Sequence, residues 1–192
     1  GDEEGLVGLW NFNEGSGEVL HDLSVNGNNG TIYGATWSPD VPLTSLSYVS
    51  IPDQNFEQKL IDLGYDDVLD GQVLSTNISE IENLNVANSE IADITGIESF
   101  TSLKQLDVSQ NSLTLLDVSN NLNLERLTLN HNDGITSLDI SQNINLTHLS
   151  SYWTNIQNIN LTANVLLEQL NLNFNPINNI DLSSNTQLQY LH

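Results

Sequence analysis

The sequence predicts a solenoid of stacked, leucine-rich turns, mainly parallel β with little helix, with a short α-helical N-terminal cap and a small β appendage at its N-terminus. Three observations carry this. Leucines recur at a fixed interval, the residues around them alternate apolar and polar, and two columns of asparagine recur in the same register. Aligning "LKQLDVSQNSL", "LERLTLNHNDGI", "LTHLSSYWTNI", "LEQLNLNFNPI" and "LQYLH" places Leu106, Leu127, Leu149, Leu170 and Leu191 in one column, with steps of 21, 22, 21 and 21. An extra residue in Asn132-Asp133-Gly134-Ile135 accounts for the longer step, and a less regular turn starts at Leu84, 22 residues before Leu106.

The alternation supplies the element type. Leu106/Val108, Leu127/Leu129 and Leu170/Leu172 are separated by polar residues, the period-2 signature of a strand with one buried face. One such strand per turn gives a parallel sheet in which each turn contacts only its neighbours. Leu116/Val118, Leu138/Ile140, Ile159/Leu161 and Ile180/Leu182 supply a second inward pair per turn, and Leu103, Leu124, Leu146, Leu167 and Leu188 lead back to the next strand.

A tight coil leaves backbone groups at its corners that must be paired. The asparagines answer this need. One column is Asn111, Asn132, Thr154 and Asn175; the other is Asn121, Asn143, Asn164 and Asn185. An amide carries both donor and acceptor, so each column is expected to ladder along the stack. The glycosylation-like triplets at Asn145 and Asn160 fall inside the framework and are read as structural. Asp117, Asp139, Asn160 and Asp181, each followed two residues later by Ser or Thr, are read as turn caps, not calcium ligands.

Residues 81–192, the repeats, resemble the leucine-rich repeats of secreted proteins from marine Bacteroidetes, flavobacteria in particular. The resemblance rests on "IADITGIESFTSLKQLDVSQN", "LDVSNNLNLERL" and "TSLDISQN" and extends back to about residue 49. Relatives often carry Cys where this chain has Val108, Leu129 or Leu172. The resemblance implies an extracellular or cell-surface protein, commonly large and exported by the type IX route. "QLQYLH" ends inside a strand, so the repeats are expected to be truncated at the C-terminus of this segment.

Residues 46–80 resemble that family's N-terminal cap. A helix is expected at about 53–63, started by Pro52-Asp53, stopped by Gly64, and burying Phe56, Leu60 and Leu63 on one face. Asp66-Asp67-Val68-Leu69-Asp70-Gly71 has the look of a calcium loop. Val68 stands where the second ligand belongs and Asn77 where the closing Glu belongs, so no metal is expected.

Residues 1–45 are different. "GLVGLWNFNEGSGEVLHDLSVNGNNGTIYGATWS" resembles a laminin-G-like, concanavalin-type lectin signature, with Trp10 and Phe12 alternating as on a strand and Gly15-Ser16-Gly17 and Asn26 to Gly30 as turn material. A complete jelly roll needs well over ~100 residues. The chain passes from Val41-Pro42 into the cap too soon for that, so a partial β segment is expected, without sugar or calcium site.

Composition bounds function. Three Lys and Arg against 25 Asp and Glu give a net charge of -22, which leaves Lys59, Lys104 and Arg126 as the entire basic inventory. Nucleic acid and anionic membrane surfaces are poor partners for such a chain. Without cysteine there is no disulfide, thiolate metal site or cysteine nucleophile. His21, His131, His148 and His192 have no ligand spacing, and no nucleophile elbow, phosphate loop or dinucleotide fingerprint is present, so neither catalysis nor a cofactor is expected.

Ligand binding is expected on the outward face of the strands. Aromatic and basic residues gather there: Arg126, His131, His148, Tyr152, Trp153, Phe174 and Tyr190. Aromatics and Arg dominate binding hot spots, and flat rings stack on sugars. Equally, Ser151 occupies a column held elsewhere by Val108, Leu129 and Leu172, and Tyr152 or Trp153 can serve to pack over that thin place. The expected function is a non-catalytic adhesion or recognition scaffold with a protein or glycan ligand. The rivals are an accessory carbohydrate-binding region of a polysaccharide-degrading enzyme, or a spacer whose repeats stack end to end.

Overall fold

The structure, a computed structural model, describes residues 5–10, 12, 16–36 and 47–192. The chain forms two compact units, Gly1–Ser45 and Leu46–His192. The expected junction at 45–46, Val41-Pro42 and Gly15 lie outside the described residues.

In the first unit, β1 (Val19–Leu20) pairs antiparallel with β2 (Gly30–Thr31). The polar loop between them is organised by Asp22. Its Oδ1 accepts from the backbone N–H of Leu9 (2.7 Å) and Ser24 (2.9 Å), and its Oδ2 from the Ser24 hydroxyl (2.9 Å) and the Asn28 N–H (2.7 Å). Burial pushes the carboxyl pKa up, but these four bonds outweigh it and lower the pKa to about 2. The side chains of Asn26 and Asn28 donate to the carbonyls of Leu6 and Val7. Trp10 and Phe12, expected to alternate on a strand, lie in no strand among the described residues. Phe12 has φ 58°, a left-handed conformation that an extended strand does not permit.

The second unit opens with a cap. β3 (Tyr48–Ser50) pairs antiparallel with β4 (Gln72–Leu74), α1 (Gln54–Asp62) lies between them in sequence, and α2 (Ser75–Ile78) follows. Asp53 caps α1: its Oδ1 accepts from Asn55 and Phe56 N–H at 2.9 and 3.1 Å. Its Oδ2 accepts from Ala92 and Asp93 N–H at 2.8 and 2.9 Å, so one carboxylate joins the helix to the first coil. Phe56 and Leu60 are fully buried, and the Phe56 ring stacks on Phe100. Leu63 is not on that buried face. The helix ends one residue earlier, Leu63 becomes its C-cap and stays 39% exposed, and Gly64 turns the chain at φ 79°. Glu57 is buried instead. Its Oε1 accepts from the backbone N–H of Asp70, Gly71 and Gln72 at 2.8, 2.5 and 3.1 Å. The acidic loop is therefore gathered by a carboxylate of the helix.

The repeats form a six-stranded parallel sheet in sequence order: β5 (Asn83–Asn85), β6 (Gln105–Asp107), β7 (Arg126–Thr128), β8 (His148–Ser150), β9 (Gln169–Asn171) and β10 (Tyr190–Leu191). The register aligns Leu84, Leu106, Leu127, Leu149, Leu170 and Leu191. Turn by turn the inward residues interleave into one core. Leu103, Val108, Leu124, Val118, Leu129, Ile140 and Leu146 are wholly buried, and burying each such side chain contributes roughly 1.5–3 kcal/mol. Leu172, Ile180 and Leu182 pack against this core but are only partly buried. A 3-10 turn, Ile97–Ser99, stands in the first coil where later coils have only turns, and Gly96 before it has φ 105°.

The two asparagine columns work differently. Asn111 donates to the carbonyls of Val86 and Val108 (2.9 Å each) and accepts from Ser89 and Ile91 N–H (3.1 and 3.0 Å). Asn132 donates to Val108 and Leu129 and accepts from Leu113, and Asn175 donates to Leu172 and accepts from Ile156 and the Thr154 hydroxyl. In the second column Asn121, Asn143, Asn164 and Asn185 each donate to two carbonyls of the preceding turn, at 2.8–3.1 Å. Their Oδ1 atoms are buried without a partner among the described residues, so this column donates only, contrary to the expectation that it would also accept. The Oδ1 atoms of Asp117, Asp139 and Asp181 accept from the N–H two residues on at 2.9 Å, and Asn160 does the same for Thr162. Asn145 donates to the Leu122 carbonyl, and Thr147 to Glu125.

Candidate functional site

A three-residue strand with its middle leucine turned inward shows its first and third residues to solvent. The first column across the sheet reads Asn83, Gln105, Arg126, His148, Gln169 and Tyr190. The second reads Asn85, Asp107, Thr128, Ser150, Asn171 and His192. Two shallow depressions lie along this face. One of about 350 Å³ runs from Arg126 and Thr128 to Tyr190 and His192. The other, about 260 Å³, runs from Asn83 back to the same Arg126 and Thr128. Arg126 thus stands where they meet.

This face departs from the rest of the chain. Its only carboxylate among the outward strand positions is Asp107, whose Oδ1 already accepts from Ser109 N–H at 2.9 Å. Among the described residues no carboxylate pairs with Arg126; the ion pair of the repeats is Lys104–Glu82, 2.7 Å. His148 lies beside Arg126 in the register and is half-buried, its Nδ1 2.8 Å from the Thr147 hydroxyl. Burial, then the positive charge of Arg126, hold its pKa below the usual value, with Glu168 opposing. On the next edge of the sheet, Asn130 Oδ1 accepts from the Ser150 hydroxyl and from Tyr152 N–H, both at 2.8 Å, which fixes the end of β8.

The remaining site residues form a separate ridge at the turn that ends each strand. Asn88, Gln110, His131, Trp153 and Phe174 occupy one column, and all five are left-handed, φ 53–59°. Every coil makes this turn, so the conformation belongs to the fold. Asn suits it, whereas an aromatic residue there is strained by about 1–3 kcal/mol. The rings repay part of this by stacking: His131 on Trp153 with centroids 5.5 Å apart, and Trp153 on Phe174 at 5.0 Å. Tyr152 stands edge-on to all three, at 5.1, 5.8 and 5.4 Å. Each such contact is worth about 0.5–1.5 kcal/mol. The ring faces of Trp153 are therefore turned to its neighbours, although Trp153 and Phe174 remain exposed.

Of the seven expected ligand residues, the structure sets Arg126, His148 and Tyr190 in the groove and gathers His131, Tyr152, Trp153 and Phe174 in the ridge. Thr128, Ser150, Gln169 and Asn171, which the alternation places outward on the same face but which are not among the seven, also line the groove. The signal was their outward place in the alternation; their polar character made them look like ordinary surface. Among the described residues no group of three or more His, Asp or Glu is placed to hold a metal ion, and no helix is long and apolar enough to cross a membrane.

No protein-family model matches the sequence, and no curated protein matches it. Among solved structures, an internalin (inlF) of Listeria monocytogenes is similar at 26% identity and TM-score 0.61, over 78% of this chain and 46% of that one. The functional domain of InlJ from the same organism aligns at 23% identity and TM-score 0.42, over 76% of this chain and 47% of that one. A leucine-rich-repeat protein of Leptospira interrogans aligns at 22% identity and TM-score 0.42, over 57% of this chain and 36% of that one. The chain spans less than half the length of these structures. Its repeats have the fold of a bacterial leucine-rich-repeat solenoid, a parallel-strand stack with little helix.

Proposed function

We propose that this chain is a non-catalytic adhesion or recognition segment of a secreted or cell-surface bacterial protein, and that it binds its ligand on the outward face of the repeat strands. The observation that carries this reading is the groove along that face, almost free of acid in a chain of net charge -22 and flanked by the aromatic ridge. A broad rigid sheet face built from successive turns is what repeat proteins offer to ligands, and the likeness to an internalin supports an adhesive role. The side chains on the face are suited to holding a partner by hydrogen bonds and one guanidinium.

The test is binding of the purified chain to an array of extracellular proteins and polysaccharides. Wild type is compared with Ser150→Trp, which fills the groove, and with the Trp153→Ala/Phe174→Ala double variant, all checked for folding by circular dichroism. A ligand lost in folded Ser150→Trp supports the reading. Binding to a ligand that both folded variants retain in full refutes it, as does an array with no ligand at all.

A further inference from the structure

Resting on that reading, we infer that the groove takes a glycan segment bearing an isolated carboxylate, with the carboxylate seated on Arg126. Three observations lead there. The first is what the groove lacks. None of the outward residues of β5 to β9 is aliphatic; they are amides, hydroxyls, one acid, one Arg and one His. The centre of a protein–protein interface is built on apolar and aromatic anchors, with Ser depleted. A strip of Gln105, Thr128, Ser150, Gln169 and Asn171 instead offers paired donors and acceptors, the complement of a sugar's ring of hydroxyls.

The second observation is Arg126 itself. In a chain with 25 acidic residues its guanidinium has no carboxylate partner among the described residues. It opens onto both depressions, with Gln105 and His148 beside it in register. A planar fork of N–H donors recognises a carboxylate through two parallel bonds, and the neighbouring amide can hold the adjoining hydroxyl. The third observation limits the charge density. A polymer with an acid on every unit meets the field of a chain of net charge -22. A glycan with sparse acids presents one carboxylate to Arg126, and its neutral units lie along the amide strip, with charges elsewhere screened beyond a Debye length of about 8 Å.

The experiment is titration calorimetry of the full chain with uronate-branched oligosaccharides on several backbones, their unbranched neutral counterparts, and a glutamate-rich peptide. Wild type is expected to bind a uronate-bearing oligosaccharide at least about tenfold tighter than its neutral counterpart, the worth of a charge-assisted hydrogen-bond pair. Arg126→Gln should erase that preference, Arg126→Lys should keep part of it, and Lys104→Gln, away from the groove, should leave it unchanged. Equal binding of branched and neutral forms, a preference that survives in Arg126→Gln, tighter binding of the peptide, or no binding of any uronate-bearing oligosaccharide overturns the inference. A protein ligand that is lost in Ser150→Trp but indifferent to Arg126→Gln overturns this inference alone and leaves the adhesive reading standing.

Discussion

Ser151 and Thr154 hydrogen-bond each other inside the core, their hydroxyl oxygens 2.9 Å apart, and together replace the aliphatic residue and asparagine of the neighbouring turns. Thr154 then donates to Asn175 Oδ1 at 2.6 Å, so the ladder continues through the exchange. A hydroxyl left alone in that core costs about 1–3 kcal/mol. Thr154→Val, which leaves the Ser151 hydroxyl without its partner, should destabilise by that much, and Ser151→Val, after which Thr154 still donates to Asn175, by less. Ser151→Leu/Thr154→Asn, which restores the pattern of the adjacent turns, should be more stable than either of its single components. A double-mutant cycle in urea should show coupling above about 1 kcal/mol; additive effects would mean that the pair does not act as a unit.

Asp53 ties α1 to the first coil with one carboxylate. Burial raises its pKa, but bonds from Ala92, Asp93, Phe56 and Asn55 outweigh it and hold the group below its usual value. Asp53→Ala removes a helix cap and leaves Ala92 and Asp93 N–H unpaired, a loss of about 2 kcal/mol or more. Hydrogen exchange at Ala92 and Asp93 should rise well above that of the later coils.

A depressed acid pKa means that the unfolded chain takes up its proton first as pH falls. Asp22, at about 2 against an ordinary 3.8, stabilises its loop fully above the ordinary value and loses this contribution as pH drops from there to about 2. Asp117, Asp139 and Asp181 shift the same way, chiefly through their Ser partners. The amide resonances of Ser24 and Asn28 should titrate with a midpoint near 2 in wild type, and Asp22→Asn should abolish that titration.

Gly96 turns at φ 105°, and a Cβ there would lie 2.9 Å from the Ser50 carbonyl oxygen and against the Ile51 side chain. Gly96→Ala should cost about 1–3 kcal/mol, since both the conformation and the space are refused. Thermal unfolding would show it as a lower midpoint. An unchanged midpoint would mean that the cap and first coil pack independently.

The cap loop supplies a metal prediction. Glu57 already satisfies the N–H groups of Asp70, Gly71 and Gln72. Among the described residues no three carboxylates converge to hold a cation, so adding calcium or a chelator should leave the unfolding midpoint unchanged, whereas Glu57→Ala should lower it by leaving three donors facing an empty pocket.

The solenoid was legible in the sequence because its physics is periodic: each inward column repeats, and one strand predicts the next. Leu106, Leu127 and Leu149 needed no other clue. The cap was harder, since its contacts cross the chain once and leave no repeat; nothing local marks Glu57 as a buried anchor or Leu63 as a helix end. The second asparagine column was visible but its missing acceptor bonds were not, because direction depends on the corner geometry. The site was half legible. Aromatic and basic side chains announced themselves, but the division into a groove at Arg126 and a ridge at Trp153 depends on strand length, and polar Thr128 and Asn171 gave no compositional signal.

The left-handed column has a consequence for how this surface can change. At His131, Trp153 and Phe174 the coil dictates only a backbone conformation, and the inward leucines and asparagines supply the rest of the framework. With the two outward strand positions, each turn therefore carries three letters that can be rewritten while the grammar stays fixed. Successive turns lie about 4.8 Å apart, so a library varied at those letters alone would print new recognition texts on an unaltered spine.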